Sequence, residues 1–457
     1  MKAGIRKIKA GFVGFGEVNT PRGFINARCA KAAALLESQL DLELVETAPV
    51  SDNPAGEQAA RAVKELKAGG ELDLLIICLA GWIPSWAVLA VTEPFKSKPV
   101  VLWGLSGWTD GDRFVTTADQ AGTTALRKPL EDMGYTFKYI VTYRNKQPRI
   151  EEVMSYARAA RAFSLLRSAK VGMAGYRDMK LYGTMYDGIA LKAKLGTEIE
   201  HFELLELKQF MDNIGEKEIA TLAKELRSRW TFTREPKPET VENSVRLCLA
   251  MVKKIKERGY NGFSFNDVDG IKKLLGFAPA GAMTLLHDML DISSVPENDA
   301  LGSVTQLIVR YLTGQVAAYL EFYEFMENGA MMGVPDYVPA EIVAGRTTVM
   351  PNAFGDFGEG LLNVSKLKTG KVTLARLGCA NGQFTMHIKV AEAQTPVKWE
   401  EAGWAPPAPQ LPSLEFIFDT PVEEFIQKVM SQHYIISYGD NSALLKDFCS
   451  LMKIETL

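Results

Sequence analysis

Two glutamates, Glu297 and Glu321, are the side chains of this sequence whose type and position best suit chemistry. Glu297 lies in a Pro-Glu-Asn-Asp segment and Glu321 follows Tyr-Leu, so each stands where a short apolar run ends. Their separation of 24 residues (321 minus 297) leaves them about 240° apart on a helix, so one helix cannot present both on one face. Two converging carboxylates suit divalent metal binding, proton transfer, or both.

A strand–helix–strand unit would bring the two carboxylates together. Residues 291–295 and 316–320 are expected to form neighbouring parallel strands, joined by an amphipathic helix over about 300–313. Both glutamates would then lie at the carboxyl edge of one sheet, where open α/β sheets bind their ligands.

Composition narrows the class of protein. The chain has 457 residues, of which 47% are hydrophobic and 23% charged, as expected for a globular protein of two to four domains. A net charge of −3 gives no reason to expect binding to nucleic acid or to an anionic membrane. Every long apolar stretch is interrupted by Gly, Pro or charged residues, so no membrane span is expected. Five scattered cysteines without a CxxC pair indicate reduced thiols and a cytoplasmic location.

The order of apolar runs predicts three domains. Alternating strand-like and helix-like runs indicate an N-terminal α/β domain over residues 1–168 and a central α/β domain over 169–338, which carries both glutamates. Residues 339–457 are rich in Gly, Val and Thr with period-two alternation, which predicts a β-rich, barrel-like domain. The expected fold class is therefore α/β, with two doubly wound domains followed by a β-rich C-terminal domain.

A glycine pattern near the N-terminus resembles the start of a dinucleotide fingerprint. Gly11, Gly14 and Gly16 are in place, but Asn19 stands where a third glycine should open the helix. A Gly-rich turn after the first strand is the simpler interpretation, and an NAD(P)-dependent oxidoreductase stays only an alternative. Arg22 follows this turn and is available to meet an anionic group.

Simpler roles exist for the candidate residues taken one at a time. Glu297 also fits a first-turn acid that interacts with a helix dipole, and Glu321 fits an edge strand that faces water. Glu324 lies close enough in sequence to take the place of Glu321, and His433 alone would fit a surface histidine. Trp82 belongs to a group of tryptophans near strand ends, where core packing competes with stacking on a sugar.

Several segments, taken in order, resemble the L-fucose/L-arabinose isomerase superfamily. The segments are residues 114–122, 170–179, 187–188, 295–314, 319–321, 371–377 and 431–434. Together they span most of the chain. The arabinose isomerases use a further histidine after the second carboxylate, and residues 331–336 contain none, which favours the fucose-type branch.

The resemblance implies a function and a set of site residues. Glu297 and Glu321 would be the acid/base pair and, together with His433, the ligands of Mn²⁺ or another divalent cation. The reaction would be an aldose–ketose isomerisation through an enediol, which two carboxylates and a hard cation suit. Residues that would contact the sugar are Arg22, Trp82, Gln120 and Met179.

The resemblance also implies a homo-oligomer, trimer or hexamer, in which the first domain of one subunit covers the site of its neighbour. The substrate stays open among a pentose, a hexose, a deoxyhexose and a hexose with an acidic group at C6. A sugar-binding or regulatory protein that keeps the fold without turnover is the main alternative, although binding a sugar does not require a base.

Overall fold

The computed structural model describes residues 5–290, 292–334, 337–353, 357–397 and 411–457. These residues separate into two compact units, an N-terminal unit of residues 5–164 and a second unit of residues 165–457. In the described ranges, no helix is both long enough and apolar enough to cross a bilayer.

Parallel strands and connecting helices make up the N-terminal unit. Its strands are β1 (Ile8–Phe15), β2 (Leu42–Val50), β3 (Leu74–Leu79), β4 (Val100–Gly104), β5 (Trp108–Asp110), β6 (Arg113–Val115) and β7 (Phe137–Val141). Its helices are α1 (Arg22–Glu37), α2 (Glu57–Ala68), α3 (Ser85–Thr92) and α4 (Asp119–Asp132), and α5 (Ile150–Ser168) leads into the second unit. Five strands form a parallel sheet in the order β2-β1-β3-β4-β7, and β5 and β6 form a separate hairpin.

The sequence explains why this sheet lies inside the unit. Strands β3 and β4 are buried along their whole length, and their uninterrupted apolar runs are typical of parallel strands covered on both faces. Packing requires a glycine at position 14, since a Cβ there would lie 2.3 Å from Sγ of Cys29 on α1. The glycine therefore allows α1 to approach β1 closely.

The second unit contains more elements. Its strands are β8 (Lys170–Ala174), β9 (Glu198–Phe202), β10 (Thr231–Phe232), β11 (Gly262–Phe265), β12 (Ser293–Ser294), β13 (Ala318–Met326), β14 (Gly329–Gly333), β15 (Thr348–Asn352), β16 (Gly360–Asn363), β17 (Gly370–Ala380), β18 (Gln383–Gln394), β19 (Ser413–Phe418), β20 (His433–Tyr438) and β21 (Glu455–Thr456). Its helices are α6 (Gly188–Leu195), α7 (Leu204–Asp212), α8 (Glu216–Arg229), α9 (Pro238–Arg258), a π-helix (Asp267–Leu275), α10 (Ala280–Met289), α11 (Ala300–Thr313), α12 (Val422–Ile426) and α13 (Ser442–Met452).

Two larger sheets organise this unit. A parallel sheet has the order β12-β11-β8-β9. Six strands form an antiparallel barrel in the order β17-β20-β13-β14-β19-β18, and pairing between β17 and β18 closes it. Residues of both structures belong to one continuous hydrophobic core, for example Phe263 and Phe265 of the sheet and Leu374 and Phe416 of the barrel. The predicted fold class, α/β with a C-terminal barrel, is confirmed, whereas the three-domain division stays a prediction.

The predicted strand–helix–strand unit around the two glutamates is wrong. The helix forms as α11, and residues 293–294 form β12, which pairs in parallel with β11; residue 291 lies outside the described residues. Residues 318–326, however, pair antiparallel with β14 and β20 in the barrel. A run of apolar and aromatic residues fits a parallel or an antiparallel strand equally well. Here the direction is set by pairing with β20, which is distant in sequence.

Candidate functional site

Glu297 lies in a strained turn between β12 and α11. Glu297 has φ 66° and its neighbour Asn298 has φ 51°, a left-handed conformation that is unfavourable for residues with a Cβ. Both residues are buried, and the Asn298 amide donates to the carbonyls of Ala174 (2.9 Å), the last residue of β8, and Tyr176 (2.5 Å), just after it. The parallel sheet thereby holds the turn, and with it the direction of the Glu297 carboxylate.

Asp299 ends this turn and links it to the barrel. Its Oδ1 accepts the Gly302 backbone N–H (2.9 Å) and so caps α11. Arg376 of β17 donates from both terminal nitrogens to the same carboxylate, at 2.5 and 2.9 Å, and all atoms are buried. The Tyr319 hydroxyl also donates to Asp299 Oδ2 (2.9 Å).

The charge of Arg376 determines the protonation state of the Asp299 carboxylate. Burial alone would raise the pKa of Asp299, but the charge and hydrogen bonds of Arg376 and the Gly302 N–H outweigh it, so the pKa lies below its ordinary value. Asp299 is therefore ionised and Arg376 paired, as a charge pair in the interior requires.

His433, the first residue of β20, is placed beside Glu297. Its Nδ1 lies 3.9 Å from Oε2 of Glu297, and its ring stacks on Tyr319 with centroids 4.2 Å apart and planes at 18°. Burial lowers the pKa of His433 to about 3; nearby Asp299 opposes that shift and Arg376 adds to it. At neutral pH the imidazole is therefore uncharged, the form that binds metals.

The ring nitrogens of the four histidines have different surroundings. His201 bonds to the Gly175 carbonyl, His287 to the Ser294 hydroxyl and His387 to the Tyr434 hydroxyl. Nε2 of His433 is buried and, among the described residues, has no hydrogen-bond partner. A buried polar nitrogen of this kind calls for an explanation, and a bound ligand is one.

Glu321 lies opposite His433 in the pairing of β13 with β20. Directly opposed residues of antiparallel strands project to the same side, with Cβ atoms about 4.5–5.5 Å apart. The Glu321 carboxylate accepts the side-chain amide of Gln432 (3.4 Å). Glu324 instead follows an irregularity in β13, lies opposite Met331 and is exposed, so Glu321 is the glutamate beside His433.

Of the three predicted metal ligands, His433 lies near Glu297, and Glu321 lies opposite His433 on the neighbouring strand. In the ranges that the structure covers, no group of three His, Cys, Asp or Glu side chains stands ready to hold an ion. Two carboxylates and an imidazole form a mainly hard donor set that fits Mn²⁺, and the unpartnered Nε2 of His433 fits the same role.

Met179, a predicted sugar contact, belongs to the second unit as well. It is 38% exposed and has φ 45°, so it is a second strained residue after β8. The neighbouring Asp178 holds it in place, because its buried carboxylate accepts the backbone N–H groups of Met179 and of residues 267, 268 and 269 at the start of the π-helix. Sequence reasoning missed Asp178, Tyr319 and Arg376, since only the fold reveals their partners.

The other three predicted sugar contacts lie in the N-terminal unit, near the carboxyl ends of its strands. The Arg22 guanidinium donates to the carbonyls of Gly16 (3.0 Å) and Pro49 (2.9 Å). The Gln120 amide donates to the carbonyls of Leu105 (3.2 Å) and Thr142 (2.9 Å). Trp82 is 37% exposed. The contacts of Arg22 and Gln120 are structural, and the part of each in sugar binding stays a prediction.

Comparison with known proteins gives consistent matches. A family model described as the L-arabinose isomerase central domain matches residues 179–285. The chain is 23% identical over 327 residues to the L-arabinose isomerase of Shouchella clausii, covering 67% of this chain and 64% of that relative. It is 21% identical over 338 residues to the L-arabinose isomerase of Oceanobacillus iheyensis, covering 70% and 69%. A shorter match, 28% over 119 residues, covers 24% of the L-arabinose isomerase of Salmonella typhi. The chain thus spans less than two thirds of the length of the Shouchella relative.

Proposed function

Because this chain belongs to the L-fucose/L-arabinose isomerase-like family, we propose that it is an aldose–ketose isomerase acting on a free or modified sugar. The observation that carries the proposal is the placement of His433. Its uncharged, buried imidazole lies beside Glu297 and directly opposite Glu321. This arrangement supports an acid/base role for the two glutamates and a ligand role for His433.

The two carboxylates would move the protons. Isomerisation removes a proton from the carbon next to a carbonyl and returns it to the neighbouring carbon, through an enediol. One glutamate would hold this proton while the other transfers a proton between the two substrate oxygens. Glu297 suits a fixed position because the two residues that follow it, Asn298 and Asp299, anchor its turn to β8 and to the start of α11.

A divalent ion, with Mn²⁺ preferred, would be held by Glu297, Glu321 and His433. When bound, it supplies positive charge that stabilises negative charge on the substrate oxygens. Tyr319, whose hydroxyl donates to Asp299, would keep the His433 ring in the orientation that leaves Nε2 available.

We further propose that Arg22, Trp82, Gln120 and Met179 contact the sugar, and that the protein works in the cytoplasm as a homo-oligomer. The site would then be shared, with the N-terminal unit of a neighbouring subunit supplying the first three residues. The exposed face of Trp82 suits stacking on a sugar ring.

Solvent deuterium incorporation during sugar conversion tests this function. Chelator-treated protein would be incubated in D₂O with a panel of aldoses and ketoses, with and without added Mn²⁺. We expect Mn²⁺-dependent interconversion of one sugar pair, with deuterium appearing at C1 or C2. Tight Mn²⁺ binding without conversion of any pentose, hexose, deoxyhexose or acidic hexose would favour the sugar-binding alternative.

Replacing the glutamates tests the assignment of roles. We expect Glu297→Gln and Glu321→Gln to lower kcat/KM by about 10²–10⁴-fold, the usual contribution of a general acid or base. The matched control is Glu324→Gln, because Glu324 lies on the same strand but is exposed and away from His433. Steady-state rates that fall equally for Glu324→Gln and Glu321→Gln would contradict the assignment.

A further inference from the structure

A cleft in the N-terminal unit has the lining of a small-molecule site. It has a volume of about 590 Å³ and lies between α1 and the loops after β4 and β7. Ligand pockets typically measure about 300–1,000 Å³. The lining residues that matter here are Phe24, Arg28, Lys31, Trp108, Asn145 and Lys146. Arg22, Trp82 and Gln120, the predicted sugar contacts of this unit, do not belong to the lining.

One wall of the cleft is aromatic. The rings of Phe24 and Trp108 stack with centroids 5.2 Å apart at 29°. The Arg28 guanidinium lies 5.9 Å from the Phe24 centroid and 5.6 Å from the Trp108 centroid. Arg28 is itself fixed by Asp119 (2.7 Å) and by the carbonyl of Ser106 (2.7 Å), so the wall is rigid before any ligand arrives. A flat or ring-shaped ligand would find a preformed surface there.

The rest of the lining is positively charged. Lys31 on α1 and Lys146 in the loop after β7 are both exposed, and neither forms an ion pair within the described residues. No lining residue carries a carboxylate. Asn145, held at φ 59°, bends the loop that presents Lys146. Two free ammonium groups without a counter-charge suit an anionic group.

We propose that this cleft binds a phosphate monoester whose ring lies against Phe24 and Trp108 while its phosphate meets Lys31 and Lys146. Sugar phosphates and nucleoside monophosphates share this chemistry. The site goes beyond the proposed isomerase function and does not depend on it.

The cleft also borders a predicted sugar contact. Leu105 and Thr142 line it, and the carbonyls of both accept the side-chain amide of Gln120. If the proposed function holds, ligand in the cleft would change KM for the sugar more than kcat, because Gln120 would bind substrate without taking part in proton transfer.

Isothermal titration calorimetry of the full chain tests the proposal with three ligands: a hexose 6-phosphate, AMP and inorganic phosphate. We expect one of the two esters to bind at least 10-fold more tightly than inorganic phosphate. The Lys31→Ala/Lys146→Ala variant should weaken that ester at least 10-fold, and Trp108→Leu should weaken it while leaving inorganic phosphate unchanged. Tighter binding of the hexose 6-phosphate would identify the ligand as a sugar phosphate, and tighter binding of AMP would identify it as a nucleoside monophosphate.

Lysines of α2 supply the matched control. Lys64 and Lys67 are exposed and lie in the same unit but outside the cleft, so the Lys64→Ala/Lys67→Ala variant should bind as the native protein does. The proposal is overturned if neither ester binds at millimolar concentration, or if the control variant loses as much affinity as the cleft variant. Equal affinity for inorganic phosphate and both esters would overturn the role of the aromatic wall. Circular dichroism of each variant confirms that it is folded.

Discussion

At the scale of single residues, the candidate site depends on a buried charge pair. Asp299 links the Glu297 turn, the start of α11 and Tyr319, and Arg376 neutralises it. Glu297, Glu321 and His433 could be selected from the sequence because they match a family pattern. Asp299 and Arg376 could not be paired from the sequence, because a separation of 77 residues (376 minus 299) carries no local signal of contact.

Removing the negative charge of this pair is expected to destabilise the protein. Asp299→Asn would leave the Arg376 guanidinium buried without a counter-charge, which typically costs about 3–5 kcal/mol. Tyr319→Phe removes only one hydrogen bond to Asp299 and keeps the stacking on His433, so we expect a loss of about 1 kcal/mol. Urea unfolding followed by fluorescence measures both. Similar losses for the two variants would show that Arg376 finds another partner.

Two buried histidines make stability depend on pH. Burial lowers the pKa of His433 to about 3 and that of His387 to about 4, from ordinary values near 6.5. The unfolded chain therefore binds more protons than the folded chain between these values. The contribution of these two histidines to the free energy of unfolding is fully present above about pH 6.5. It should be lost as the pH falls from there towards 4 for His387 and towards 3 for His433.

Unfolding of metal-free protein at a series of pH values measures this dependence. His387→Gln should make the slope between pH 6.5 and 4 shallower. The control is His201→Gln, because His201 is exposed. An unchanged slope in His387→Gln would contradict the expected contribution.

At the scale of elements, prediction succeeded where the signal was local. Alternating strand-like and helix-like runs indicated the α/β fold of the N-terminal unit, and amphipathic spacing identified α11. Prediction failed for residues 316–320. They were expected to pair in parallel with residues 291–295, but residues 318–320 pair antiparallel with β20. Strand pairing over more than a hundred residues depends on the register and edges of the complete sheet, which a local run of apolar residues does not encode.

Capping of the π-helix gives a prediction at this scale. Asp178 accepts three backbone N–H groups at the start of that helix, so Asp178→Ala should reduce stability by about 2 kcal/mol, at the upper end for helix caps. Asp187→Ala is the matched control. Exposed Asp187 accepts one N–H group from the described residues, that of Ala190 at the start of α6, so this variant should lose about 1 kcal/mol or less. Chemical unfolding compares the two, and a larger loss in Asp187→Ala would refute the argument.

At the scale of the whole molecule, the barrel is built from strands that lie far apart in the sequence of the second unit. Its barrel takes β13 and β14 from one side of the predicted boundary at residues 338 and 339, and β17, β18, β19 and β20 from the other. The core is shared between the parallel sheet and the barrel. Composition and alternation predicted a β-rich C-terminal region, but could not show that strands before residue 334 complete it.

Truncated chains test this organisation. A chain ending at residue 164 keeps the five-stranded sheet and its own core, so we expect it to fold cooperatively. A chain ending at residue 338 lacks four of the six barrel strands, and its residues from 165 onward should stay partly unfolded and aggregate. Amide hydrogen exchange distinguishes the outcomes. Full protection of β8 and β11 in the longer fragment would show that the parallel sheet is stable without the barrel.

The antiparallel pairing of β13 with β20 has a consequence for synthesis on the ribosome. Glu321 of β13 and its partner His433 of β20 are 112 residues apart (433 minus 321), so at about 5–20 residues per second roughly 6–22 s separate their appearance. During this interval β13 and β14 have emerged while two of their barrel neighbours, β19 and β20, have not. The nascent chain must therefore keep an open strand edge from pairing with other chains until its last segment arrives, which makes it a natural client for chaperones.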